Sequence, residues 1–261
     1  MEQTQQNPQK TQFPTEEVTL PSKGLLYPEG SPLKKGVIEM KYMTAREEDI
    51  LTNQNYIQNG TVIDKLLQSL IITDCDYNEI LVGDKNAIMV AARILGYGSD
   101  YDFNYYNPKT KENEEVKIDL TTIEDKELDE SLIKNGRNEF DFTLPSTKIL
   151  VTFKLLTHGD ERKIASEIRG LKKINKKSNP EISTRMKHII TSVNGDRESK
   201  SIRDFVDISL LARDARALRK YIRKIAPDTN LVFNFEGDGG YTAEDVDIPI
   251  GANFFWPDAT I

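Results

Sequence analysis

One cysteine, two histidines and one tryptophan in 261 residues leave several kinds of chemistry without raw material. Cys75 alone cannot form an internal disulfide, so a reducing setting is expected, and its place in the string TDCDYNE reads as a half-buried structural thiol with no base to activate it. His158 and His188 lack the His-Glu-x-x-His spacing of a zinc hydrolase and read as packed or polar surface residues. No Gly-rich string followed by Lys-Ser/Thr is present to wrap phosphates. Gly96-Tyr97-Gly98 has no third glycine at the dinucleotide spacing and reads as a helix end. Apolar runs last only a few residues, far below the roughly 18 of a membrane-spanning helix. No basic leader precedes an apolar stretch, so the expected compartment is the cytoplasm. Nothing singles out a pair among the 42 acids. The expectation is therefore no catalytic residue, no cofactor and no metal. The string Asn234, Glu236, Asp238, Gly239, Asp245 imitates a calcium loop, but it opens on Asn, closes on Asp in place of Glu, and is flanked by strand-like segments.

What the chain does have is charge, unevenly placed. Residues 1–161 hold 17 Lys/Arg against 28 Asp/Glu, residues 162–224 hold 18 against 7, and residues 225–261 hold none against 7. A basic middle lies between acidic flanks. Such blocks bind a polyanion, or they pair with each other within the fold. Arg216, Lys220 and Arg223 would lead the polyanion contact, the alternative in which the chain binds nucleic acid through helices at 160–225. Only Phe205 and Tyr221 supply aromatic rings there, so a stacking platform for single strands is unsupported and protein contacts are preferred.

Hydrophobic periodicity and turn chemistry imply an α+β fold of helical lobes joined by β-hairpins. Residues 1–17, polar and rich in Gln, read as a disordered arm. Residues 18–36 carry Pro21, Pro28 and Pro32 and read as an extended strap, docked through Leu20, Leu25, Leu26 and Tyr27. Residues 37–138 form an N-terminal helical lobe. Thr44 and Glu47 have capping-box spacing, two more helices run from Thr61 and from about Asp84, and a hairpin spans Tyr101 to Leu120. Residues 139–261 hold a β region to Leu156, a helix opened by Gly159-Asp160, a helix after Pro180 with Met186, Ile189, Ile190 and Val193, and a last helix over 201–225. The stripe Ile208, Leu211, Ala215, Leu218, Ile222, Ile225 reads as ordinary packing. A third hairpin joins LVFNFE to VDIPI.

Five strings, in order, resemble the baseplate hub and hub-assembly proteins of T4-like, contractile-tailed bacteriophages: VTLPSKGLLYPEG, YMTAREEDILTNQNYIQNGTVIDKLLQSLI, GDKNAIMVAARILGYG, FTLPSTKILVTFKLLTHGDERKI and IPIGANFFWP. The resemblance covers roughly half the chain. It implies a non-enzymatic role in baseplate morphogenesis, with other tail baseplate hub proteins as partners. The expected location is the host bacterial cytoplasm during assembly, or the virion tail baseplate. An assembly chaperone absent from the mature virion is the alternative. The family's relatives can carry Cys-x-x-Cys pairs on hairpins resembling a zinc knuckle. Here Tyr106-Asn107-Pro108-Lys109 and Glu236-Gly237-Asp238-Gly239 stand in those places without cysteine, so the hairpins must hold by packing. In this role Leu20, Pro21, Lys23, Leu25 and Tyr27 of the strap, with Phe254, Phe255 and Trp256 of the aromatic tail, are the candidate partner-binding residues. Strap and tail could equally cover the protein's own core.

Overall fold

The computed structural model describes residues 14–176 and 179–255. Strand β1 (Thr15–Thr19) pairs antiparallel with β2 (Val37–Lys41), Val18 opposite Ile38. The expected arm is thereby shortened. Residues 1–13 lie outside the described residues, but Thr15, Glu16 and Glu17 belong to a strand. Hydrogen bonds supply what apolar content lacks there, including Thr15 Oγ1 to Glu39 Oε1 at 2.8 Å and Tyr42 OH to Glu16 Oε1 at 2.9 Å.

The strap docks, but it is not extended beyond Thr19. Its backbone folds into successive turns, Lys23 N donating to Leu20 O at 2.8 Å and Leu25 N to Ser22 O at 3.0 Å. Prolines forbid a regular ladder here, and glycines make the compaction possible. Gly24 and Gly36 have φ of +74° and +73°, and a Cβ on Gly24 would lie 2.3 Å from the Lys34 carbonyl oxygen.

Helices α1 (Ala45–Leu51), α2 (Gln54–Gln58), α3 (Val62–Leu70) and α4 (Val82–Tyr97) follow. The expected pair at the start of α1 is present, with Thr44 N and Oγ1 donating to Glu47 Oε2 at 3.0 and 2.6 Å. Leu66, Leu67 and Leu70 of α3 and Ile88 and Ala92 of α4 are fully buried. Helix α4 runs through Gly96 to Tyr97 and is capped two residues after Gly96, at Gly98 with φ +82°. Strands β3 (Asp100–Asn107) and β4 (Glu112–Asp119) form the expected hairpin.

Strands β5 (Phe140–Thr143) and β6 (Leu150–Phe153) form the second hairpin. Helix α5 (His158–Ile174) is capped by Thr157 rather than Gly159, with Asp160 completing the box. Helix α6 (Glu181–Ile189) stops where the sequence pattern suggested continuation. Ile190–Val193 instead form β7 on the free edge of β6, a three-stranded sheet in order β5-β6-β7. The expected helix over 201–225 is likewise divided: α7 (Ser199–Asp204), a π-helical turn over Phe205–Ser209, and α8 (Ala212–Ile225). The break coincides with a tertiary contact. Asp214 is buried in the first turn of α8, where it accepts from Ser146 N at 2.8 Å and Thr147 N and Oγ1 at 3.0 and 2.8 Å. That anchorage fixes where α8 starts. Ile208 and Leu211 are consequently 82% and 50% exposed, and the packing stripe begins only at Ala215.

Strands β8 (Val232–Gly237) and β9 (Tyr241–Asp247) make the third hairpin, and a short helix α9 (Ala252–Phe255) ends the described chain. Strand β9 ends at Asp247, so Ile248–Ile250 of the expected strand lie beyond it. One hydrophobic cluster joins α3, α4, β5, β6, α6 and α8. The segments either side of residue 138 interlock closely, since a Cβ on Gly83 would lie 1.9 Å from the Pro227 carbonyl oxygen.

Candidate interaction surface

The strap residues proposed as partner anchors turn inward. Leu20, Pro21 and Tyr27 are buried, Leu25 is half-buried, and only Lys23 is exposed, paired with Glu130 at 2.7 Å. Asp84, wholly buried at the start of α4, is the latch. Its carboxylate accepts from Ser22 N at 2.8 Å, Ser22 Oγ at 2.7 Å and Tyr27 OH at 2.7 Å. Tyr27 OH in turn accepts from Leu81 N at 2.9 Å, closing the network. Burial pushes the Asp84 carboxyl above its ordinary value, against the pull of the Ser22 and Tyr27 hydrogen bonds. Phe254 and Phe255 are buried too, Phe254 meeting Tyr101 edge-on with centroids 5.0 Å apart. Trp256 lies outside the described residues. As folded, strap and α9 are core: the apolar area of Leu20, Pro21, Tyr27, Phe254 and Phe255 is covered by the chain itself, as in the alternative in which strap and tail cover the protein's own core.

The cysteine-free hairpins hold by packing and by a polar clasp at their tips. Phe233 meets Phe103 and Tyr105 edge-on at 5.2 and 5.7 Å, and Phe235 lies 4.5 Å from Tyr105. Asn107 Nδ2 donates to Glu114 Oε1 at 2.6 Å and across to Asp238 O at 3.0 Å, while Asp238 N donates to Glu114 Oε2 at 3.0 Å. Asn234, from the calcium-like string, spends its Oδ1 on Asp245 N at 3.1 Å. Among the described residues no group of three His, Cys, Asp or Glu side chains is placed to hold a metal ion. His158 is packed, its ring 4.5 Å from Tyr77 and its Nδ1 3.2 Å from Lys85 Nζ; burial and then Lys85 push its pKa down. His188 bonds Glu167 at 2.8 Å. Cys75 is half-buried, and burial together with Asp74, Asp76 and Glu79 pushes its thiol up, away from a nucleophilic thiolate.

The basic middle segment divides into two populations. On α6 and α7, Arg185, Lys187 and Arg203 are paired internally, chiefly with carboxylates that α5 supplies. Glu167 receives Arg203 Nη1 at 2.8 Å and His188, and these bonds, Arg203 foremost, hold its carboxyl down at about 2. Arg185 grips Glu161 through two bonds of 2.6 and 3.0 Å and reaches Glu181 at 3.6 Å, and Lys187 meets Asp207 at 2.7 Å. On α8 the pattern differs. Asp214, Ala215, Leu218 and Ile225 face the core, and Tyr221 stacks on Phe142 at 4.8 Å, which removes it from any base-stacking role. Arg216, Lys220 and Arg223 are exposed and Arg219 half-buried, and among the described residues none of the four makes a side-chain ion pair.

Three of these cations border a groove of about 700 Å³ between α8, α6, the start of α4 and the chain after β6. Arg216, Arg219 and Arg223 line it; Lys220 does not. Its apolar surface comes from Leu156, Met186, Ile189 and Ile222, with Ile182, 54% exposed, at the edge. Arg219 and Ile182 were not singled out from the sequence. The signal was present in the spacing 216, 219, 223 and 182, 186, 189, each one helix face, but which faces meet is a tertiary fact. A second cavity, of about 770 Å³, lies between Leu26–Pro28, the turn at Asp76–Glu79 and the start of α5, with charges of both signs on its walls.

Architecture and surface together define a mixed α+β protein whose exposed features suit contact with another macromolecule. The chain belongs to the family described as T4 bacteriophage base plate protein, whose model matches residues 14–227. Four of the five resemblance strings fall within that span. No curated protein and no solved structure matched the chain. Family membership makes this a phage baseplate protein with other phage proteins as its setting, and no helix among the described residues is long and apolar enough to cross a membrane.

Proposed function

We propose that the protein is a hub component of the tail baseplate that acts in morphogenesis through protein contacts and transforms no substrate. The observation that carries this reading is the family match across residues 14–227, with the hub indicated by the collinear strings beginning at VTLPSKGLLYPEG. The geometry supports it. Strap and α9 complete the core, and uncompensated charge and accessible apolar surface coincide at the α6–α8 groove. Host cytoplasm is the place of assembly in this reading, and other hub proteins are the partners.

Affinity copurification from infected cells and peptide mass spectrometry of purified virions test it. Recovery with tail proteins, and peptides in the virion, are expected. Recovery with tail proteins but no peptides in virions transfers the role to a transient assembly chaperone. Association with DNA alone, weakening steeply with salt and lost on reversing Arg216, Lys220 and Arg223, replaces the reading with the nucleic-acid one.

A further inference from the structure

The α6–α8 groove combines two properties that surface regions seldom share. Its walls are apolar, contributed by Leu156, Met186, Ile189 and Ile222. Its rim carries Arg216, Arg219 and Arg223, three of the α8 cations that make no ion pair among the described residues, while its own carboxylates are engaged: Glu161 and Glu181 with Arg185, and Asp228 Oδ1 with Asn86 and the Thr229 amide. Positive charge is therefore uncompensated on the α8 side alone. Arg216, Arg219 and Arg223 fall within one stripe of the helix, and from first to last they cover about 10.5 Å of helix axis.

We propose that this groove receives an acidic amphipathic helix of a partner protein, its carboxylates facing Arg216, Arg219 and Arg223 and its apolar side chains against Ile182, Ile189 and Ile222. Carboxylates three, four or seven residues apart on a second helix recur at the spacing of the arginine row, and apolar residues at the neighbouring positions reach the floor. A nucleic-acid backbone fits less well. It has no use for the apolar floor, and the one aromatic ring of α8 is turned inward onto Phe142. The inference rests on the reading of the protein as one that works through protein contacts, and it names the chemistry of one such contact.

The test uses the full chain and a fluorescein-labelled helical peptide matched to the 14 residues of α8, with Leu on one stripe and Glu on the flanking one. Two controls replace Glu by Lys or Leu by Ser. Binding by anisotropy is expected for the Leu/Glu peptide only. Arg216→Glu/Arg219→Glu/Arg223→Glu should weaken it by about tenfold or more and bind the Leu/Lys peptide instead. Ile182→Ser, at an exposed position that leaves folding intact, should weaken Leu/Glu binding severalfold without altering charge selectivity. Equal binding of the Leu/Glu and Ser/Glu peptides, insensitivity to the triple reversal, or displacement of the peptide by duplex DNA at lower concentration would each overturn the proposal. So would light scattering that shows the groove closed by a second copy of the chain. A failed peptide experiment alongside intact copurification with tail proteins removes the groove assignment alone. Lost copurification alongside intact peptide binding removes the hub reading alone.

Discussion

Replacing Glu47 by Gln should expose how much stability one carboxylate contributes to the N-terminal lobe. Glu47 is wholly buried, yet it accepts from Lys41 Nζ at 2.8 Å, Ser69 Oγ at 2.7 Å, and Thr44 N and Oγ1 at 3.0 and 2.6 Å. Burial alone would raise its carboxyl. The hydrogen bonds from Lys41, Thr44 and Ser69 outweigh burial and hold it at about 2, below the ordinary 4.5. A carboxyl depressed in the folded state stabilises above its unfolded value, and that contribution is lost as pH falls through the folded value. The difference corresponds to about 3 kcal/mol near neutral pH and to about half of that near pH 3. Gln keeps the shape but removes the charge and one acceptor. Urea denaturation of Glu47→Gln should show a loss of about 3 kcal/mol near pH 7 that shrinks toward pH 3 as the wild type loses its advantage. A loss that is constant across that range, or below about 0.5 kcal/mol at neutral pH, would refute the assignment of the charged hydrogen-bond network as the source.

Other perturbations address the strap, the interlock and the clasp. Tyr27→Phe removes one donor to buried Asp84 and leaves the Leu81 amide without its acceptor; thermal or urea melting should report a loss of about 1–3 kcal/mol. Gly83→Ala places a methyl against the Pro227 carbonyl, and a loss of about 1–3 kcal/mol or more in the same melts is expected. Asn107→Ala should loosen the two hairpin tips together, so amide exchange should accelerate at β3–β4 and β8–β9 while α3 and α4 keep their protection.

Sequence reasoning found elements wherever a local rule sufficed. Thr44 and Glu47 announced α1, the leucines of α3 stand at helical spacing, and the alternating aromatics around Asn107-Pro108 announced β3–β4. It failed where tertiary contacts overrode a locally consistent pattern. Ile190 to Val193 continue the apolar spacing of α6, and only the open edge of β6 converts them into a strand. Ile208 and Leu211 continue the stripe of α8, and only the hydrogen bonds from Ser146 and Thr147 to Asp214 detach them. The strap's apolar residues showed that it docks, but not that Asp84, 62 positions beyond Ser22, latches it inward. The groove gathers residues from four separate stretches, so its arginines could be named as basic without being placed on a common rim.

The clasp between the hairpin tips has a consequence for handling and for the environments the protein can tolerate. Amide and carboxylate groups of Asn107, Glu114 and Asp238 join the tips without a thiol. Oxidants therefore find no thiol there to attack, and the two ribbons should stay fastened under reducing and oxidising conditions alike.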